Sequence, residues 1–309
     1  MNLSLGLSKL INFNSKTLSL KLFNQRLPFI YILFNFFYKK FIVNKKINEN
    51  LLKFHNLGFT KLNVNFSSLI DEYKDKFYIK PNNDKTSPYK SEISLHDQDK
   101  KDFIFEIKKR LKPEIIELEK YFNCDIIISD IKLSRNFYHK DQNNLNIEHY
   151  SNHFHQDSYL MTYNKIFINL MDIKEDDGPL EIVPYPYKKL FIKSFKYKDR
   201  YNYNSDGDAS LIYKNVGKKG DTLLFSSSRL FHRAGVPKNF RDNLAIIIIT
   251  LPKYKRDKLN KIDDIQLFDE NYKHFQKFVK PYSIIKVSKL FLEFYKYKFK
   301  KNNEQNTKN

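Results

Sequence analysis

The chain has no tryptophan, a single cysteine and only 7 glycines in 309 residues. One thiol, Cys124, excludes an internal disulfide framework. So few glycines exclude the collagen-like and glycine-rich classes. Cys124 stands beside the apolar run Ile126-Ile127-Ile128 and reads as a buried, inert thiol. Arginine is scarce as well, 8 of the 55 basic residues, so the formal charge of +20 is mostly a lysine charge. Lysine, asparagine, isoleucine, tyrosine and phenylalanine are abundant together, a mixture that AT-rich coding produces. The guanidinium forks that read phosphates and guanines are few, so no nucleic-acid partner is expected. Long apolar runs are also missing. The best, Leu27 to Val43, is broken by Pro28, Asn35, Lys39 and Lys40 and falls short of the roughly 20 residues a membrane span needs. The opening Met1-Asn2-Leu3-Ser4 lacks the basic region and cleavage site of a signal peptide, and a cytoplasmic protein is the expectation.

Against these absences, 41% of the residues are hydrophobic and 16% aromatic, too apolar for a disordered chain. A chain of this size buries about three quarters of its unfolded surface. Five of the seven glycines (Gly178, Gly207, Gly217, Gly220 and Gly235) fall in the middle of the chain, so tight turns concentrate there. Residues 1–49 read as a basic, aromatic-rich helical extension. A short helix over 50–57 ends at Gly58, and Phe59 to Phe66 alternates as a strand. Ser67–Phe77 and Asp102–Tyr121 pattern as helices, the second broken or restarted at Pro113, and Pro81 to Asp99 as a polar loop. Strands are predicted at 125–139, 153–160, 165–173, 180–183, 210–214, 221–226 and 243–251. The last carries Ile246-Ile247-Ile248-Ile249 and suits a strand buried on both faces. Many short strands separated by turn residues point to a sandwich, barrel or jelly roll. Residues 253–309 return to helix and lysine, with Val287, Leu290, Phe291, Phe294 and Tyr297 at helical spacing among lysines. That basic amphipathic helix either packs on the body or makes peripheral contact with a membrane surface.

Chemistry concentrates in Glu148-His149-Tyr150-Ser151-Asn152-His153-Phe154-His155-Gln156-Asp157, which holds three of the eight histidines. On a strand, residues two apart share a face, so His155 and Asp157 would present an imidazole and a carboxylate side by side. A third ligand would complete a 2-His-1-carboxylate facial triad, the arrangement suited to Fe(II). His-x-Asp alone is a weak signal. His232 follows the strand-like Gly220-Asp221-Thr222-Leu223-Leu224-Phe225, and Arg241 opens the last buried strand. A guanidinium there is costly without a partner, and a carboxylate suits its bidentate fork. His139 and His149 read as solvated, and His153 as a rim residue.

Taken in order, His155-Gln156-Asp157, Phe167 to Asp172, Gly178-Pro179-Leu180-Glu181-Ile182-Val183-Pro184, Gly220 to Phe225, His232-Arg233-Ala234-Gly235 and Arg241 resemble the phytanoyl-CoA dioxygenase family. The likeness covers about residues 50–252, one domain, and leaves 1–49 and 253–309 outside it. It implies a double-stranded β-helix (a cupin-like jelly roll, mainly β with flanking helices) carrying an Fe(II)- and 2-oxoglutarate-dependent dioxygenase. By the same resemblance His155, Asp157 and His232 ligate iron and Arg241 binds the distal carboxylate of 2-oxoglutarate. O2 is the second co-substrate, and succinate and carbon dioxide leave. Tyr138 is the residue chosen for a further co-substrate contact, from a strand where the family often places one. The chain departs from the pattern at Pro184-Tyr185-Pro186-Tyr187, at Phe154 where tryptophan is common, and in a short His232–Arg241 interval, where Arg233 and Asn239 become alternatives for the carboxylate. The expected partner is a small or conjugated organic substrate, whose identity the sequence does not specify, nor does it specify oligomeric state. A carboxylate at Asp157 argues against halogenation, which replaces that ligand with halide. The alternative is a catalytically silent jelly roll docking a membrane or an anionic glycan through its basic extensions. A third reading is a nucleic-acid hydroxylase.

Overall fold

A computed structural model describes residues 29–44, 48–81, 88–140, 150–157, 159–184, 210–251 and 284–306. Helix α1 (Phe29–Phe37) runs into a π-helical turn (Tyr38–Ile42). Helix α2 (Glu49–Leu57) starts where the Asn48 side chain accepts from the Leu51 N–H and ends at Gly58, whose φ of +84° permits a left-handed cap. After β1 (Phe59–Lys61), α3 (Ser67–Tyr73), β2 (Tyr78–Ile79) and β3 (Lys90–Ser94) comes α4 (Asp97–Phe122). Then follow β4 (Asp125–Phe137), β5 (Tyr163–Asn169), β6 (Leu180–Val183), β7 (Tyr213–Lys214), β8 (Thr222–Phe225), β9 (Phe231–Ala234), β10 (Phe240–Leu251) and α5 (Ile284–Asn306).

Two antiparallel sheets result. The larger has the order β1-β8-β5-β10-β4-β3-β2 and the smaller β7-β6-β9, with His155 bridging β9 on its open side. Strands β4, β10, β5 and β8 in one layer facing the 155 bridge, β9, β6 and β7 in the other is the strand order of the double-stranded β-helix. The chain is mainly β with flanking helices, and no described helix is long and apolar enough to cross a membrane.

Strand β10 lies centrally, between β4 and β5. Its Leu244, Ile246 and Ile248 are buried with Phe103, Ile107, Leu111, Leu118 and Phe122 of α4 in the main core. The opposite face turns toward the second sheet, where Phe59, Leu180, Ile182, Leu223, Phe225 and Leu230 form a smaller core. Between these layers lies the site.

Several expectations change. Pro113 does not interrupt α4: it is exposed, and so is Lys109, whose carbonyl loses its helical donor, so water can supply that bond. The stretch 81–99 is not all loop, because β3 pairs with β4. Only Phe59–Lys61 of the 59–66 alternation pairs as a strand. The described residues of 153–160 form no strand; among them His155 alone makes a bridge. The cause is a turn in the partner: the Arg229 and Leu230 N–H groups both donate to the Ser226 carbonyl, so the partner segment turns just ahead of β9 and offers no continuous ladder. His139 is not solvated but 1% exposed, between the rings of Tyr89 and Tyr150. His153 is also buried, at 6%, while His149 lies outside the described residues. Cys124 is free and buried.

The two segments beyond the family-like region meet. Tyr31, Phe34, Tyr38 and Ile42 share the main core with Val287, Leu290 and Phe294. Tyr38 stacks on Phe34 and lies edge-on to Phe294. The Asn35 side chain accepts from the Met161 N–H at 2.6 Å.

Candidate metal centre

The His155 N–H donates to the His232 carbonyl at 3.0 Å, and the His232 N–H returns to the His155 carbonyl at 2.9 Å. The Asp157 N–H donates to the Ser227 carbonyl at 3.0 Å, and the Gln156 amide to the Arg229 carbonyl at 2.8 Å. Four hydrogen bonds thus pin 155–157 against 227–232. Arg229 in turn donates to the His55 and Asn56 carbonyls, satisfying the end of α2 and tying that helix to the site.

This places one ligand atom from each of His155, Asp157 and His232 within 4.8 Å of one another. The imidazole rings stand 4.4 Å apart, and His155 Nε2 lies 3.6 Å from Asp157 Oδ1. Neighbouring ligands on an octahedral ion stand roughly 3 Å apart at the usual bond length of about 2.1 Å, so a small inward adjustment closes the set. The tautomers suit a metal. His155 Nδ1 donates to the His153 carbonyl at 2.8 Å and His232 Nδ1 to the Leu230 carbonyl at 3.0 Å. A carbonyl only accepts, so each Nδ1 carries a proton and Nε2 is the ring atom left to bind a metal. Phe225 lies edge-on to His232, giving the cluster an apolar wall.

The Asp157 carboxylate divides its oxygens. Oδ1 faces His155, and Oδ2 pairs with Lys165 Nζ at 2.6 Å. Burial would raise its pKa, but Lys165, His232 and His155 hold it well below the usual carboxylate range. Lys165 sits on β5 opposite Phe225 on one side and Ile247 on the other. Strand alternation puts Ile247, Ala245, Asn243 and Arg241 on that same face of β10.

Arg241 is 5% exposed. Among the described residues no carboxylate lies within ion-pair distance of it; its one hydrogen bond is a long one, 3.5 Å, to the Gly235 carbonyl. Burial pushes its pKa down to about 10, against weaker support from Tyr150 and Glu181. Asn136 is directly opposite on β4 and buried, with no hydrogen-bond partner on its Oδ1 among the described residues. Of the alternatives for a carboxylate, Arg233 already pairs with Glu181 at 2.7 Å, and Asn239 is exposed. Tyr138 lies past the end of β4, 42% exposed, its N–H donating to the Asn239 carbonyl.

Sequence reasoning missed Lys165, Asn136 and Tyr150. Lys165 carried a signal: Lys165, Phe167 and Asn169 alternate with the fully apolar face Ile166 and Ile168, and a lysine in such a row needs a buried anion. Asn136 and Tyr150 carried none.

No protein-family model matches the chain, and no curated protein matches it. Among solved structures, HygX from Streptomyces hygroscopicus, with nickel, 2-oxoglutarate and hygromycin B bound, is similar at 17% identity over 66% of this chain and 87% of that one, with a TM-score of 0.44. The epimerase SnoN from nogalamycin biosynthesis, described as non-heme and alpha ketoglutarate dependent, is similar at 9% identity over 65% and 82%, with a TM-score of 0.45. EctD from S. alaskensis in its apoform follows at 14% identity over 68% and 81%, with a TM-score of 0.39. Likenesses this distant leave the chemistry to be argued from the site itself.

Proposed function

We propose that the chain is an Fe(II)- and 2-oxoglutarate-dependent dioxygenase of the phytanoyl-CoA dioxygenase type, hydroxylating a small or conjugated organic substrate. The observation that carries this reading is a pairing of unmet needs on one pocket. Two imidazoles and a carboxylate converge with one ligand atom each facing the others, and a buried guanidinium on the same inner space has no carboxylate among the described residues. A divalent ion answers the first need and a ligand carboxylate the second. One compound links the two, since 2-oxoglutarate can chelate the ion through its keto acid and carries a carboxylate at the other end.

His155, Asp157 and His232 would hold the iron, and Arg241 the distal carboxylate. Asn136 stands beside Arg241 to orient it. Bound iron, with 2-oxoglutarate and O2, supplies the oxidising power that places a hydroxyl on the substrate while succinate and carbon dioxide are formed. The chain's own residues do the rest. The two Nδ1–H groups, each donating to a backbone carbonyl, hold the imidazoles in place and leave Nε2 to meet the metal. Lys165 engages Asp157 Oδ2, leaving Oδ1 to bind through one oxygen and other coordination positions open. Phe225, Ile182 and Leu230 exclude water from the donors.

Anaerobic addition of Fe(II) and then 2-oxoglutarate to the purified protein should produce a weak visible charge-transfer band. The band should be lost in His155→Ala. Its absence in the wild type, with no iron retained, would overturn the assignment.

A further inference from the structure

Strand β10 has a neighbour on each side, β4 and β5, yet its inner face is not closed along its whole length. Arg241 and Asn243 are buried, while Ala245 and Ile247, further along the same face, are partly exposed. A strand flanked on both sides meets solvent only where no second layer covers its face, so a cavity opens over these two residues. Across the ladders Ala245 faces Lys132 on β4 and Phe167 on β5, and Ile247 faces Asp130 and Lys165. Residues two apart on a strand share a face, so these six side chains form one floor. Its middle is apolar: Ala245, Ile247 and Phe167. Its β5 side is the metal side, because Lys165 holds Asp157 at 2.6 Å. Its β4 side is Lys132, whose side chain is 67% exposed and pairs with Asp130 at 2.8 Å. Two strand spacings, about 10 Å, separate β4 from β5.

The charge around this floor is positive. Lys90 on β3 is exposed as a residue but desolvated at its ammonium, and Lys132, Lys165 and Arg241 lower its pKa further, so all three cations act on one spot. The acids described on this face are already engaged: Asp157 by Lys165, Asp130 by Lys132 and Glu92 by Lys80. Bound Fe(II) and the dianion of 2-oxoglutarate cancel in charge and leave the field positive. An ammonium has three donors, so Lys132 can keep Asp130 and take a second anion. We propose that the substrate carries a carboxylate or a phosphate at one end, held by Lys132 at the β4 side of the cavity, and that its hydrocarbon body lies on Ala245, Ile247 and Phe167 toward the metal. A substrate with an ammonium at that end would meet like charges. The inference rests on the iron and 2-oxoglutarate reading and adds the class of substrate to it: an organic acid or phosphate ester about 10 Å long.

The test uses probes that share one hydrocarbon chain and differ at the head: octanoate, octyl phosphate, octanol and octylamine. Each is titrated calorimetrically into the full chain under anaerobic conditions with saturating Fe(II) and 2-oxoglutarate, so that Arg241 is already occupied. Octanoate or octyl phosphate should bind about 10-fold more tightly than octanol and octylamine, and the tighter of the two tells carboxylate from phosphate. Lys132→Glu should weaken that binding about 30-fold, and Lys132→Arg should keep it. Lys101→Glu makes the same charge change at an exposed position of α4, behind the sheet, and should bind as wild type does. Binding with no preference for the acids, an undiminished affinity in Lys132→Glu, or equal losses in Lys132→Glu and Lys101→Glu would overturn the inference while the charge-transfer band persists. A missing band marks failure of the iron reading instead. Anion binding that still depended on Lys132 would then be a ligand site without the reaction, which overturns the substrate role.

Discussion

His155 and His232 are joined at the backbone, each donating its N–H to the other's carbonyl. The position of the two imidazoles is therefore set by main chain and does not depend on the rings. His155→Ala and His232→Ala should keep the native circular dichroism, with stability lowered by about 1–2 kcal/mol. Anaerobic Fe(II) titration should show affinity reduced by more than about 100-fold, beyond the range seen for outer-shell changes. Unchanged affinity in either variant would remove that histidine from the ligand set.

Lys165→Met tests the ion pair with Asp157. Removing the ammonium leaves a buried carboxylate uncompensated, a change that costs about 3–5 kcal/mol in comparable pairs. The metal-free variant should melt well below wild type. Fe(II) neutralises that carboxylate, so it should raise the melting temperature more in Lys165→Met than in wild type. Equal increments in the two proteins would show that Lys165 does not bear on the metal site.

Arg241→Met removes a buried cation that has no described counter-ion. Ligand-free protein should be as stable as wild type or more so, because a desolvation cost disappears. The 2-oxoglutarate requirement should rise about 100-fold, as succinate release measures, and the stabilisation by added 2-oxoglutarate should vanish. Retention of that stabilisation would assign the carboxylate to another residue.

Alkaline pH should unfold the protein through its buried phenols and thiol. Burial chiefly raises the pKa values of Tyr38, Tyr121, Tyr150 and Cys124. A group whose folded pKa is raised contributes stability that is complete below its unfolded pKa. That contribution is lost as pH rises toward the folded value. The loss begins near pH 8.5 for the thiol and near 10 for the phenols. Urea midpoints should be flat from pH 7 to about 8 and fall beyond. Cys124 should react with a thiol reagent only on unfolding, and rapid reaction of the native protein would contradict its burial.

Gly178→Ala should disturb iron and 2-oxoglutarate binding together. Gly178 has a φ of +62°, and a Cβ there would stand 2.4 Å from the backbone of Val236 and Pro237. Those residues lie in the turn joining His232 on β9 to Arg241 on β10. The substitution should cost about 2 kcal/mol or more, and metal and co-substrate titrations should both weaken. A loss confined to one ligand would show that the turn does not couple them.

Much of the site was legible because its signals are local. His155 and Asp157 lie two apart, His232 follows a short apolar strand, and Arg241 opens the run Ile246–Ile249. The strand at 153–160 was misread because periodicity cannot show that Ser226–Leu230 makes a turn where a partner strand would be needed. Pro113 was misread because its cost depends on which side of α4 faces water. Lys165 as the partner of Asp157 was out of reach, since the contact exists only once β5 lies behind the 155–157 segment. The meeting of the two lysine-rich ends was likewise invisible, one reading alone as a basic, aromatic-rich helical extension and the other as a basic amphipathic helix.

The sequence by itself determined the kinds of groups and their order: the donors His155, Asp157 and His232, the cation Arg241, the turn glycines and the alternation that makes a β-rich fold. These follow from neighbour-to-neighbour sterics and from the periods of helix and strand. Only the tertiary structure decided which groups meet. It pairs Lys165 with Asp157, leaves Arg241 without a described carboxylate, and sets Tyr38 against Phe294. Such contacts arise from many small burial and pairing energies summed over distant segments, and no window of the chain contains them.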